Sequence, residues 1–167
     1  EIRNCDWSSD VCSSDLSKLE SGQLVRVLWR KKPVWVFKRD KTALAALTSE
    51  ELMSKLADPN GTGNSKNQQP KYVSSSYRSI ENKEAVAVIV GVCTHLGCSP
   101  TYRPEPGASD LGGDSWKGGF YCPCHGSKFD LAGRVYAGVP APTNLEIPPY
   151  QYVTDSLIRV GIDHKNT

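Results

Sequence analysis

Two short segments hold four of the six cysteines and two of the three histidines in this 167-residue chain. The first, at residues 93–98, reads C-T-H-L-G-C, and the second, at residues 122–127, reads C-P-C-H-G-S. Each segment offers a thiol and an imidazole near enough in sequence to bind the same centre. The candidate ligands are Cys93, His95, Cys122 and His125. The pattern therefore predicts a metal site between two loops, with Cys98 and Cys124 left over.

This ligand set alone does not identify the metal. Two thiolates and two imidazoles would suit zinc, so a zinc-binding interaction module is one interpretation of the pattern. Zinc fingers, however, normally space their paired ligands by two to four residues and carry no extra cysteine in each loop.

Length and charge exclude several classes of function. A chain of 167 residues is one modest domain that is large enough to bury a core. Its net charge of +2, from 20 basic and 18 acidic residues, gives no case for binding nucleic acid or a charged membrane surface. The longest apolar run, at residues 85–93, suits a buried strand and is far too short to cross a bilayer.

Residues 1–16 are predicted to lie outside the fold. They show no hydrophobic periodicity, and they lack the basic start and the apolar stretch of a signal peptide. Back-translation of residues 5–16 gives codons that resemble a common sequencing-library adapter. We therefore expect a foreign or disordered segment in which Cys5 and Cys12 have no role.

The rest of the chain has the pattern of short antiparallel strands. Residues 23–29 and 34–37 are β-rich runs joined by a tight turn, which predicts a hairpin. Residues 85–92 form the strongest predicted strand and lead into the first cysteine segment. Residues 116–121 lead into the second segment in the same way. Both sets of candidate ligands are thus expected on loops at strand ends.

One short helix interrupts the predicted strands. Thr48 and Glu51 form a capping box, so a helix should start there and run to about Ala57. The polar residues 61–70 predict a surface loop, and residues 150–160 predict a final hairpin. The expected fold class is therefore all-β with one short helix.

The two cysteine segments resemble the signature boxes of the Rieske iron-sulfur proteins, in whose two-iron cluster two histidines replace two cysteines. Flanking segments, among them S-K-L-E-S-G-Q-L-V-R-V-L-W and K-F-D-L-A-G-R-V-Y, are similar to the proteobacterial Rieske subunits of ubiquinol-cytochrome c reductase, the cytochrome bc complex. This resemblance extends from Ser17 to about Val160. It implies a Rieske-type antiparallel β-sandwich as a base domain, with an inserted small cluster-binding β subdomain.

The resemblance also implies a division of the chain. Residues 17–84 would form the first part of the base domain, and residues 85–148 would form the cluster-binding subdomain. Residues 149–167 would return to the base domain as its final hairpin and tail.

The resemblance gives each residue of the boxes a role in holding one [2Fe-2S] cluster. The implied ligands, first of the inner iron and then of the outer iron, are Cys93 and Cys122, and His95 and His125. Cys98 and Cys124 would form the disulfide of the family, which implies an oxidising compartment. Ser127 would donate its hydroxyl to a bridging sulfide and so stabilise the reduced cluster.

Three further features take an expected role from the resemblance. Leu96 would form the apolar loop tip that docks on the cytochrome b subunit, and residues 139–142 would form a proline loop that covers the cluster. Phe129 stands where many relatives have a tyrosine whose hydroxyl reaches a ligand sulfur, so we expect a lowered redox potential. The large aromatic residues expected in the core are Trp29, Trp35 and Trp116.

The mixed ligand set has a physical consequence. Two ferric ions, two sulfides, two thiolates and two neutral imidazoles sum to zero charge, so an electron enters more easily than with four thiolates. Rieske centres accordingly reach about −150 to +300 mV, against about −400 mV for plant-type ferredoxins. An imidazole bound to iron keeps a second ring nitrogen that can carry a proton, so electron and proton uptake can be coupled.

The resemblance implies a function as an electron-transfer subunit. The chain would take an electron from ubiquinol at the cytochrome b subunit, with His125 and then His95 as the catalytic contacts, and pass it to a membrane c-type cytochrome. It would belong to an enzyme, a quinol-cytochrome c reductase, without a complete active site of its own. We expect an N-terminal membrane helix upstream of Ser17, absent from this chain, in a bacterial inner membrane with the cluster domain in the periplasm.

One alternative is a Rieske ferredoxin or a ring-hydroxylating oxygenase component. Those proteins usually lack the second cysteine of each box, and an oxygenase also needs a long catalytic iron domain. The zinc-binding interaction module is the other alternative, and colour alone distinguishes it because zinc thiolates are colourless.

Overall fold

The computed structural model describes residues 11–61, 68–73 and 76–164. In this part of the chain, nine strands form three antiparallel sheets of three strands each. The strands are β1 (Cys12–Asp15), β2 (Leu24–Trp29), β3 (Lys32–Lys38), β4 (Val86–Val90), β5 (Thr101–Arg103), β6 (Gly119–Tyr121), β7 (Lys128–Asp130), β8 (Tyr150–Thr154) and β9 (Leu157–Val160). The all-β expectation is confirmed. The division into a base domain and an inserted subdomain stays a prediction.

The first sheet has the order β2-β3-β4 and contains the predicted hairpin. Its turn residues Arg30 and Lys31 both have a positive φ, 49° and 63°. Such a turn matches the right-handed twist of the flanking strands even though no glycine or asparagine is present. All five residues of β4 are buried, which explains the continuous apolar run of this strand.

The second sheet has the order β1-β9-β8 and corrects the expectation for the N-terminal segment. Residues 12–15 were predicted to lie outside the fold, yet they pair with β9 from Cys12 opposite Val160 to Asp15 opposite Leu157. Cys12 is 1% exposed and Ser14 is 2% exposed, so alternate residues of β1 face the interior. Residues 1–10 lie outside the described part of the chain. The final hairpin of β8 and β9 is confirmed.

Two short helices replace the single predicted helix. They are α1 (Lys41–Leu47) and α2 (Glu50–Met53). The capping residue of α2 is Ser49, whose Oγ accepts a hydrogen bond from the Leu52 N–H at 3.4 Å, whereas Thr48 ends α1. The predicted cap was therefore one residue early. Residues 62–67 of the predicted surface loop lie outside the described part of the chain.

The third sheet has the order β5-β6-β7 and carries the second cysteine segment. Strand β6 is shorter than predicted, because Trp116 directly follows a 3-10 turn at Gly113–Ser115. An aromatic cluster joins this sheet to the first one. Its members are Trp35, Phe37, Tyr102 and Phe120. The predicted core tryptophans Trp29, Trp35 and Trp116 are all buried.

Three buried arginines fix the turn that follows β7. Arg39 donates to the Leu131 carbonyl at 3.0 Å, and Arg78 donates to the Ala132 carbonyl at 3.0 Å. Arg134 Nε donates to Asp130 Oδ2 at 2.7 Å, with both side chains fully buried. Burial lowers the pKa of Arg39 and of Arg78 to about 10, so both guanidinium groups stay charged at neutral pH.

No helix within residues 11–61, 68–73 and 76–164 is long and apolar enough to cross a membrane.

Candidate metal centre

The first cysteine segment, residues 93–98, forms a loop that we call cluster loop 1. It follows the buried strand β4 and closes on itself through the backbone. The Cys93 N–H donates to the Cys98 carbonyl at 2.7 Å, and the Gly97 N–H donates to the Cys93 carbonyl at 3.0 Å. Gly97 has a φ of 86°, a conformation that a residue with a Cβ rarely adopts.

The second segment, residues 122–127, forms cluster loop 2 and repeats this design directly after β6. The Cys122 N–H donates to the Ser127 carbonyl at 2.8 Å, and the Gly126 N–H donates to the Cys122 carbonyl at 2.9 Å. Gly126 has a φ of 81°. Both cluster loops therefore lie at strand ends, as predicted, and each begins with a cysteine and has a left-handed glycine in fifth place.

A disulfide between Cys98 and Cys124 joins the two cluster loops, which confirms the predicted pairing. The Cα atoms of the two residues are 6.6 Å apart. The sulfur of Cys122 lies within 4.8 Å of both disulfide sulfurs. These three sulfurs are not a ligand set, because the two in the disulfide have no thiolate to offer a metal.

The two remaining cysteines of the loops, Cys93 and Cys122, are free and buried. Their side chains are in hydrogen-bond contact, and the backbone N–H of His95 also donates to the Cys93 sulfur. Burial raises the pKa of the Cys93 thiol, and the neighbouring Cys122 raises it further. A metal ion removes this barrier, because coordination deprotonates a thiol.

The two candidate imidazoles also lie together. The ring centroids of His95 and His125 are 4.8 Å apart, and the rings meet edge to face at 85°. His95 is half-buried, whereas His125 is exposed. The structure thus brings two buried thiols together and two imidazoles together at the ends of adjacent loops. This donor set fits a [2Fe-2S] cluster held by two cysteines and two histidines.

The predicted residues around these donors are also in place. The Ser127 hydroxyl is in hydrogen-bond contact with the Cys93 sulfur and accepts a hydrogen bond from the Ala141 N–H at 3.0 Å. Through this contact, Ser127 holds the predicted proline loop, residues 139–142, against cluster loop 2. Leu96, at the tip of cluster loop 1, is 70% exposed.

Thr94 makes a contact that the sequence did not predict. Its hydroxyl donates to the carbonyl of Thr143 at 2.7 Å, which links cluster loop 1 to the residue directly after the proline loop. The sequence could have indicated this contact, because the hydroxyl of a threonine in a loop often donates a hydrogen bond to a backbone carbonyl.

Comparison with known proteins assigns the family. Residues 65–150 match the family described as "Rieske [2Fe-2S] domain". The chain is 57% identical over 150 residues to the "Ubiquinol-cytochrome c reductase iron-sulfur subunit" of Allochromatium vinosum, a match that covers 90% of this chain and 69% of that protein. The chain belongs to the Rieske iron-sulfur family. A Rieske protein carries a [2Fe-2S] cluster and transfers electrons, and both cluster loops lie within the matched residues.

Two further proteins are similar to this chain. The "Ubiquinol-cytochrome c reductase iron-sulfur subunit" of Blastochloris viridis is 41% identical over 149 residues, covering 88% of this chain and 68% of that protein. A solved chain of "Hyperthermophilic respiratory Complex III" is 25% identical with a TM-score of 0.49, covering 87% of this chain and 71% of that chain. The curated matches place this chain among the iron-sulfur subunits of ubiquinol-cytochrome c reductase, an oxidoreductase complex. They favour this group over the oxygenase and zinc alternatives.

Proposed function

We propose that Cys93 and Cys122 hold the inner iron of the [2Fe-2S] cluster and that His95 and His125 hold the outer iron. The difference in burial supports this assignment. Both thiols are buried, whereas the two imidazoles are half-buried and exposed. The histidine side of the centre is therefore the side that a substrate can reach.

The proposed activity is one-electron oxidation of ubiquinol at the cytochrome b subunit, followed by reduction of a membrane c-type cytochrome. The cluster supplies a one-electron acceptor of raised potential. The exposed His125 accepts a hydrogen bond from a quinol hydroxyl through its outer ring nitrogen and then holds the proton. His95, half-buried beside it, is the second group available to the proton. The exposed His125 ring is the observation that carries this proposal.

Leu96 supplies the docking contact in this proposal. Single exposed leucines are common on protein surfaces, so the proposal rests on position: Leu96 is 70% exposed and directly follows His95 in cluster loop 1, where burial against a partner would remove its surface from water. The proposed occupant is the apolar rim of the quinol pocket in cytochrome b. The chain alone would then lack the rest of the active site.

The proposed location is a bacterial inner membrane, with the cluster domain on the periplasmic side. The Cys98–Cys124 disulfide supports an oxidising compartment. Ubiquinol, cytochrome b and the c-type cytochrome are the proposed partners.

A redox titration at several pH values tests proton uptake on the cluster histidines. The full chain is expressed with iron-sulfur assembly support, and the reduced cluster is followed by low-temperature EPR. Where one proton accompanies each electron, the midpoint potential should fall by about 59 mV per pH unit. A potential that does not change with pH would contradict the proposed role of the histidines.

Docking is tested in the assembled complex with two leucine variants. Leu96→Asp should abolish quinol-dependent cytochrome c reduction while the EPR signal of the cluster remains. Leu28→Asp is the matched control, because Leu28 is also an exposed leucine, at 44%, but lies on β2. Equal activity in the two variants would refute the docking role of Leu96.

A further inference from the structure

The indole of Trp35 packs against the residues that lead into the two cluster loops. Trp35 belongs to β3, the central strand of the first sheet, and is 1% exposed. Its ring stacks on Phe120, with ring centroids 4.3 Å apart and an interplanar angle of 10°. Phe120 is two residues before Cys122, the first residue of cluster loop 2.

The same indole also contacts the chain that enters cluster loop 1. A methyl group added at Gly91 would come within 2.3 Å of the indole Cε2 and within 2.7 Å of Nε1, so the Gly91 backbone lies against the ring. The Gly91 N–H also donates to the Pro33 carbonyl of β3 at 2.8 Å. Gly91 is two residues before Cys93, the first residue of cluster loop 1.

One side chain therefore contacts the chain at equivalent positions, two residues before each cluster loop. We propose that Trp35 is a positioning residue for the [2Fe-2S] cluster, which sets the spacing of the two ligand cysteines by packing between Gly91 and Phe120. This proposal rests on the assignment of Cys93 and Cys122 as ligands. A thinner side chain at position 35 would let the two loop entrances approach and would change the spacing of the thiols.

The packing around Trp35 makes this spacing rigid. Phe120 also contacts Phe37, at 5.5 Å between ring centroids, and Tyr102, at 5.4 Å. The backbone of β3 pairs with a neighbour on each side, which holds the Trp35 backbone in place, while the contacts with Phe120 and Gly91 restrain its ring. Tightly packed interiors transmit strain between neighbouring residues. A smaller ring at position 35 should therefore shift the two cluster loops relative to each other.

The first test replaces Trp35 by phenylalanine. No acceptor for Trp35 Nε1 is found within the described ranges, so the variant changes ring volume without removing a hydrogen bond there. Trp116→Phe is the matched control. Trp116 is also 1% exposed and stacked on an aromatic ring, that of Tyr136, but it donates its Nε1–H to the Arg103 carbonyl. If Trp35 only stabilised the fold, Trp116→Phe would lower the stability of the protein at least as much as Trp35→Phe and would disturb the cluster equally.

Three quantities are measured on each full-length variant: iron content per chain, the g-values of the reduced cluster and its midpoint potential. We expect Trp35→Phe to shift the g-values and the potential, or to lower iron content at least twofold. We expect Trp116→Phe to lower thermal stability with g-values and potential unchanged. Wild-type values of all three quantities in Trp35→Phe would overturn the proposal, as would equal changes in the control.

A second variant keeps the proposal testable if Trp35→Phe fails to fold. Gly91→Ala leaves the indole in place, but its methyl group would overlap the ring, so the variant should shift the g-values and the potential or lower iron content at least twofold. Wild-type values of all three quantities in Gly91→Ala, with the protein folded, would overturn the proposal. A wild-type chain without a reduced two-iron signal would instead refute the ligand assignment itself.

Discussion

Asp130 offers the sharpest test of how the fold supports the cluster loops. Its Oδ1 accepts hydrogen bonds from the backbone N–H groups of Ala132, at 2.9 Å, and Arg134, at 2.8 Å. Its Oδ2 accepts one from Arg134 Nε at 2.7 Å. Asp130→Asn keeps the first acceptor but turns an NH2 group toward the guanidinium. The variant therefore removes the counter-charge of a fully buried cation.

The size of the effect follows from burial. Removing one partner of a buried ion pair costs about 3–5 kcal/mol, because the other charge stays buried and uncompensated. Arg39 and Arg78 are buried nearby and also feel the Asp130 charge, so the substitution leaves three cations without this carboxylate. At about 2–4 °C per kcal/mol for a chain of this size, the melting temperature should fall by about 6–20 °C.

Urea unfolding, with wild type and variant in the same cluster state, measures the loss in free energy of unfolding. Asp110→Asn is the control, because Asp110 forms an exposed pair with Arg103 at 2.9 Å. The hydrogen bond from Arg103 lowers the pKa of Asp110, so any stabilisation is present above the unfolded pKa and is lost as pH falls. Solvent screens this pair, and we expect almost no change. A loss below about 1 kcal/mol in Asp130→Asn, or an equal loss in the control, would refute the reasoning.

Two other substitutions probe the cluster loops. Cys98→Ser should lower the free energy of unfolding by about 3.5 kcal/mol, from the loop entropy of a 26-residue separation, and an unchanged urea midpoint would contradict this. Phe129→Tyr should raise the midpoint potential, because the added hydroxyl can donate a hydrogen bond to a ligand sulfur and so favour the reduced state. An unchanged midpoint potential in Phe129→Tyr, with the EPR signal of the cluster intact, would contradict this prediction.

The sequence was most informative where a local pattern carries the whole signal. Both hairpins, β2–β3 and β8–β9, were predicted, because β-rich runs and tight turns need no distant partner, although β3 starts two residues earlier and ends one residue later than expected. The disulfide and the grouping of thiols and imidazoles followed from the two boxes and their resemblance. The identity of the metal centre came from family likeness, since the spacing of the ligands alone leaves zinc and iron open.

The misses arose where tertiary contacts decide the outcome. Strand β1 looked foreign because its buried residues are Cys12 and Ser14, which are weak signals of a strand interior until β9 is present as a partner. Ser49 and Thr48 are equally good caps in sequence, and only the end of α1 at Leu47 selects between them. The burial of Arg39, Arg78 and Arg134 was not predicted, because the net charge of the chain does not show which charged residues are buried.

Both cluster loops are closed by a backbone hydrogen bond across six residues, and this limits how their length can change in evolution. In each loop the N–H of the first residue donates to the carbonyl of the sixth. A deletion or insertion inside the loop would break this hydrogen bond and displace the ligand side chains. The chain between the loops carries no such constraint on its length, provided that β5 and β6 can still pair. Length variation among lineages should therefore collect at the exposed residues 105–107, away from the buried Leu111 and Trp116, and a designer who wishes to append a reporter peptide would insert it there.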